Sequence, residues 1–183
     1  MRALLFIILF STVANAQSFR LGQFDEIKVF DGIHVTVIPA NADSLVVEGK
    51  NKEFLSIKNK NGRLCLRMNL KKRLGGFNTT VALFSSNPLE VIDANEGAFV
   101  SCQDVLFQQS ILLKAQEGAE IEALLDVQKV TTKTTSGGIV SLKGAAKTQS
   151  HKVSTGGVVE AETLDSEQVE VRVKAGGNAA VSA

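Results

Sequence analysis

Five glycines in the second half of the chain, Gly97, Gly118, Gly137, Gly156 and Gly176, recur at intervals of 21, 19, 19 and 20 residues in one local setting. A unit of that size cannot bury an apolar face alone, so the fold must stack copies of it. With each glycine set as zero, offset +1 holds Ala98, Ala119, Gly138, Gly157 and Gly177, and offset +3 holds Val100, Ile121, Val140, Val159 and Ala179. Offset −3 holds Ala94, Ala115, Thr134, Val153 and Val173, and offset −5 holds Ile92, Leu113, Thr132, His151 and Val171. Successive side chains on a strand point to opposite faces, so the odd offsets face a core and the glycine is the corner between two strands. Glycine suits a corner because it adopts unusual backbone angles and admits close approach.

Twenty residues are too few for a strand, a crossover helix and a second strand, but they suit one coil of a parallel solenoid at about 3.3 Å per residue. A sandwich of antiparallel hairpins would also use short strands and turns, yet it would not hold one glycine column in register. The expected fold is therefore all-β, a right-handed parallel β-helix or β-solenoid with coils of about 20 residues. A third apolar position near eight residues past each corner, at Val105, Leu125, Ala145 and Leu164, predicts a looser turn and a short third strand. Only 5% of residues are aromatic, all phenylalanine, as a narrow core of small aliphatic side chains would require.

The N-terminal third alternates without the repeat. Phe24 to Val29, Asp31 to Ile38 and Ser44 to Gly49 read as strands, and Asn61-Gly62 between Leu55–Ile57 and Arg63–Met68 is a hairpin signal. Lys71, Lys72 and Arg73 precede Gly75-Gly76 and are expected at a solvated hairpin tip, a basic candidate binding surface. The expected organisation is a signal peptide over 1–16 and one all-β domain over 17–183, with N-terminal strands at 24–84 and glycine-cornered repeats at 89–183. Only seven residues follow Gly176, so the last coil is expected to be incomplete. Its open ladder is expected to reflect a truncated chain or a missing cap, with an interface to another copy as the alternative.

Arg2, the apolar run from Ala3 to Phe10 and the small-x-small site Ala14-Asn15-Ala16 predict export with cleavage after Ala16. The run is too short to span a bilayer, so no membrane span is expected after cleavage. Losing Arg2 leaves 19 basic and 19 acidic residues, which gives no reason to expect a nucleic-acid partner. Cys102 falls in a core column, whereas Cys65 shares a face with Arg63 and Arg67, so no Cys65–Cys102 disulfide is expected.

Phe24-Asp25-x-Ile27-x-Val29, Gly32-Ile33-x-Val35, Val46-x-Glu48-Gly49, Asn61-Gly62-x-Leu64 and the recurring Gly-Ala or Gly-Gly corners resemble one family over essentially the whole mature chain. That family is the head GIN domain of "putative auto-transporter adhesins", widespread in Bacteroidota. The resemblance implies an exported, solenoid-like protein and supplies no catalytic residues to carry over. The first corners depart from it, with Glu96-Gly97 and Glu117-Gly118 where the family often has serine before glycine.

Chemistry-bearing residues are sparse. Glu120, Glu122 and Glu160 are the repeat's carboxylate candidates, and Glu122 and Glu160 share a column two coils apart, about 10 Å at the strand spacing and beyond a typical inverting glycosidase pair. His34 reads as a surface residue, His151 as the odd member of a core column, and neither has companion metal ligands. Serines such as Ser136 lack the nucleophile-elbow pattern. Asn78-Thr79-Thr80 matches an N-glycan acceptor, and Asp43-Ser44-Leu45 resembles an O-glycan acceptor with Ser44 as the site. No catalytic residue, cofactor or metal is expected. The expected function is a non-enzymatic module of the periplasm or cell surface that binds an envelope or extracellular glycan or protein through its outer faces, with Lys71, Lys72, Arg73, Phe99, Glu122 and Glu160 as surface candidates. Alternatives are an assembly scaffold that self-associates through the open C-terminal coil and, further off, a polysaccharide-acting β-helix enzyme.

Overall fold

The computed structural model describes residues 17–182, with backbone alone at 17, 18, 20 and 72–75. The expected signal segment 1–16 lies outside the described residues. The chain forms a β-solenoid of about five turns. Strands β8 (Val91–Ala94), β9 (Phe99–Gln116), β10 (Glu120–Thr135), β11 (Ile139–Ser154), β12 (Val158–Lys174) and β13 (Asn178–Val181) are stacked in parallel, each on the next.

Each corner is a two-residue device. The residue before the glycine, Glu96, Glu117, Ser136, Thr155 or Ala175, has φ between 48° and 57°, and the glycine follows with φ between 70° and 75°. Two successive left-handed residues reverse the chain's course, and the second is glycine because a side chain there would be strained. The corners are themselves laddered: Gly97 N–H donates to Glu117 O at 3.0 Å and Gly118 N–H to Ser136 O at 3.1 Å. The second glycine of a pair answers a different demand. A Cβ on Gly138 would stand 2.1 Å from Ala115 O, so the preceding coil leaves it no room.

Opposite the corner, inward-outward alternation slips where Gln128 and Lys129 are both exposed, and this is the looser turn. The uneven spacing has a structural cause. Between the rungs Cys102–Ala123 and Leu106–Leu125, β9 carries two residues more than β10, and between Ser141–Glu160 and Lys143–Thr163, β12 carries one more than β11. These bulges correct the third apolar column: it runs Leu106, Leu125, Gly144, Leu164, whereas Val105 is only half-buried and Ala145 is exposed. No separate third strand forms, because β9 to β12 run unbroken through this region.

The N-terminal strands belong to the same stack. Asp31-Gly32 has φ of 61° and 73°, a further corner of the same type, with Ile27, Val29, Ile33, Val35 and Val37 buried at its odd offsets. Strand β2 (Glu26–Val29) lies parallel to β8, and β3 (His34–Pro39) parallel to β9. On their other side lie β6 (Arg63–Met68), parallel to β2, and β7 (Thr79–Ser85), parallel to β3. Strands β6 and β7 thus form an outer coil, although they follow β2 and β3 in sequence. A 3₁₀ segment, Leu70–Asn78, spans its corner, which replaces the hairpin tip expected for the basic cluster. Antiparallel β5 (Leu55–Lys60), joined to β6 through Asn61-Gly62, and β4 (Ser44–Gly49) with β1 (Gln17–Arg20) close that end. Along the axis run Leu64, Ile27, Ile92, Leu113 and Val81, Val35, Val100, Ile121, all at most 1% exposed. Full burial of each such aliphatic contributes about 1.5–3 kcal/mol.

Candidate binding faces

Two outer walls meet at the glycine corners. On the wall after the corner, register places His34, Phe99, Glu120, Ile139, Val158 and Asn178 in one column. Thr36, Ser101, Glu122, Ser141, Glu160 and Ala180 form the next. Phe99 is half-buried and its ring lies 5.6 Å from that of exposed His34. Glu122 and Glu160 are two rungs apart, and Ser141 between them donates from its hydroxyl to Glu160 Oε2 at 2.8 Å. Partial burial, reinforced by the charges of Glu122 and Glu160, pushes the Glu120 carboxyl above its usual pKa. Glu122 and Glu160 border a shallow depression with Ser101, Cys102, Leu124 and Lys143. They stand side by side on one wall and do not oppose each other across a cleft. Among the described residues no group of three or more His, Cys, Asp or Glu is placed to hold a metal ion.

The basic cluster lies elsewhere. Lys71 is exposed at the start of the 3₁₀ segment, where the Asn69 side chain accepts from Lys71 N–H at 3.1 Å. The side chains of Lys72 and Arg73 lie outside the described residues. Leu70 and Phe77 of the same segment are 88% and 61% exposed, although the Phe77 ring also covers the corner glycines Gly32 and Gly97. Ser44 is half-buried within β4, and the adjacent Asp43 carboxylate is engaged by Ser86 N–H at 2.7 Å and Ser86 Oγ at 2.9 Å. Asn78 is exposed at the end of the 3₁₀ segment. Neither cysteine is bonded: Cys65 is half-buried, and Cys102 is a core residue whose thiol burial pushes up to about 12.

His151 points inward and is fully buried. Its Nδ1 is 2.8 Å from Thr132 Oγ1 and its Nε2 is 2.6 Å from Gln149 Oε1. The Gln149 amide nitrogen donates to Ser182 O at 2.7 Å, and a carbonyl can only accept, so the amide orientation is set. Nε2 then carries the proton and Nδ1 accepts from Thr132. Burial lowers the imidazole pKa to about 4. The group is a hydrogen-bonded core histidine with no access to solvent.

The wall before the corner carries a pattern that the odd offsets alone do not reveal. At offset −4 the pairing aligns Lys58, Cys65, Lys28, Asp93, Lys114, Lys133, Lys152 and Arg172 across eight strands. At the N-terminal end the charges are compensated, with Asp93 3.4 Å from Lys28 and 3.9 Å from Lys114. Lys133 and Lys152, the next two rungs, are exposed and make no ion pair among the described residues. Arg172 pairs with exposed Glu170 at 2.7 Å. Like charges one rung apart, about 4.8 Å, repel by about 0.9 kcal/mol in water, and cross-strand like pairs destabilise a sheet. Tabulating the even offsets as well as the odd ones would have found this row in the sequence.

A family model described as "Putative auto-transporter adhesin, head GIN domain" matches residues 23–183. The chain belongs to that family. Three solved structures are similar to this head GIN chain, each covering 86% of it. One from Bacteroides fragilis, described as a "putative adhesin", has a TM-score of 0.79 at 17% identity, with 75% of its own chain covered. A second "putative adhesin", from Parabacteroides distasonis, has a TM-score of 0.66 at 18% identity, with 77% covered. A third, from the same organism and described as a "putative lipid binding protein", has a TM-score of 0.59 at 13% identity, with 77% covered. At these identities the likeness is one of fold. No curated protein matches the chain. Head GIN membership makes this an adhesin-like surface protein, and no helix among its described residues is long and apolar enough to cross a membrane.

Proposed function

We propose that this protein is exported and acts without catalysis, holding a glycan or a protein on the outer walls of its solenoid at the periplasmic face or the cell surface. The observation that carries this reading is the pair of flat walls on which polar and charged side chains repeat in register from coil to coil. Such walls offer an extended, repeating surface to a partner, and the carboxylates at Glu120, Glu122 and Glu160 sit on one wall without an opposed acid-base partner. Membership of the head GIN family agrees with it. A glycan array and an envelope-protein pull-down with residues 17–183 test the reading. A specific ligand competed by its soluble form is the expected result, and silence in both assays overturns it.

A second reading, an assembly scaffold, draws on the last coil. Val171 and Val173 occupy inward columns but are 36% and 46% exposed, because β13 pairs only with residues Val158–Ala161 of β12. An apolar edge beside a one-sided ladder is covered by a further strand, which either continuing chain or a second copy can supply, and the scaffold reading takes the second. Light scattering over a range of concentrations checks it, and a monomer throughout excludes it.

A further inference from the structure

Building on the surface-binding reading, we propose that the docking face is the wall before the glycine corner and that its ligand is an acidic polysaccharide, whose carboxylate or sulfate groups lie along the row Lys114, Lys133, Lys152 and Arg172. Three features lead there. The row is a run of cations on four successive strands, and its middle members have no counter-charge of their own. The fold compensates such a row where it can, as Asp93 does between Lys28 and Lys114, so the bare segment is a place where an external anion completes the charge balance.

The geometry suits a polymer. The row runs along the solenoid axis, and two rungs span about 10 Å, on the order of one disaccharide unit, so successive acidic groups of an extended chain can meet successive or alternate cations. The middle of each flanking column is polar. Gln116, Thr135 and Ser154, followed by Lys174, lie on one side, and Thr131 and Ser150, between Leu112 and Glu170, on the other, and their amides and hydroxyls can exchange hydrogen bonds with sugar hydroxyls. Nucleic acid fits less well. Single-stranded nucleic acid needs stacking platforms, and the aromatic of this wall, Phe30, is covered by the Arg67 guanidinium at 3.9 Å and the Lys28 ammonium at 5.2 Å.

The test titrates the mature protein with polygalacturonate, heparin, neutral dextran and duplex DNA, in parallel with K133Q/K152Q and with E122Q/E160Q on the other wall. The expected result is binding of one or both acidic polysaccharides that weakens steeply from about 0.05 M to about 0.5 M salt. K133Q/K152Q should bind about tenfold more weakly, as loss of two partly solvated ion pairs implies, and E122Q/E160Q should match wild type. Thermal melting of K133Q/K152Q at or above the wild-type temperature establishes that the variant is folded, since the substitutions remove like-charge repulsion. Equal affinity of K133Q/K152Q, or DNA bound as tightly as the acidic polysaccharides, overturns the proposal. A neutral glycan or protein bound independently of Lys133 and Lys152 also overturns it, but leaves the binding-module reading standing. No ligand of any kind removes both.

Discussion

His151 supplies a stability switch that can be calculated from the structure. The folded imidazole is fully buried and protonates only near pH 4, against about 6.5 for an exposed histidine. Between those values the unfolded state binds the extra proton, so stability falls as pH falls through this window, is fully present above it, and loses nothing more below it. Each unit of difference corresponds to about 1.4 kcal/mol, which gives a loss of about 2 kcal/mol between pH 7 and pH 5 and about 3 kcal/mol once both states are protonated. The measurement is urea unfolding at several pH values, followed by far-ultraviolet circular dichroism because the chain has no tryptophan or tyrosine. Carboxylates common to wild type and a His151→Gln variant cancel in the difference. The variant should be less stable at pH 7, where it disrupts the bonds to Thr132 and Gln149, and that deficit should shrink by about 2 kcal/mol on acidification to pH 5. A pH-independent difference between the two proteins would refute the buried, neutral histidine.

Three further outcomes follow from packing. Gly138→Ala sets a Cβ against the Ala115 carbonyl at 2.1 Å and should cost about 3 kcal/mol or more, whereas Gly137→Ala, whose Cβ would meet nothing nearer than Gly118 N at 4.0 Å but whose φ is 74°, should cost only about 1–2 kcal/mol in the same denaturation assay. Thr134→Val should stabilise by about 1 kcal/mol, because the Thr134 hydroxyl is buried without a hydrogen-bond partner among the described residues and the same column holds Val153 in the next coil; a lower melting temperature would contradict this. Arg67→Ala should cost about 2 kcal/mol in the same denaturation assay, less than a fully buried pair because the guanidinium is 40% exposed while its Asp31 partner is 1% exposed.

The repeat was legible because a solenoid writes one local instruction many times. Ile92, Leu113, Thr132 and His151 recur at offset −5, and the structure stacks them in the order in which they occur. The corner at Asp31-Gly32 follows the same rule, but it stands 65 residues before Gly97 and so escaped a search for a period near twenty. The intervening chain forms the outer coil of β6 and β7 and the closing strands β4 and β5, and nothing local in those strands announces which side of β2 and β3 they will occupy. The displaced apolar column shows a smaller limit: one or two bulged residues shift which neighbour points inward, and only the pairing reveals where the bulge lies.

Spacing alone therefore determined the coil, its glycine corner and the inward columns, since alternation and left-handed backbone are local properties of a few adjacent residues. Tertiary structure decided which coils are neighbours, how the N-terminal strands enter the stack, and how the charges on each wall combine. Lys114, Lys133, Lys152 and Arg172 are separated by about a coil of sequence, yet they form one row because parallel pairing brings each to within a strand spacing of the next.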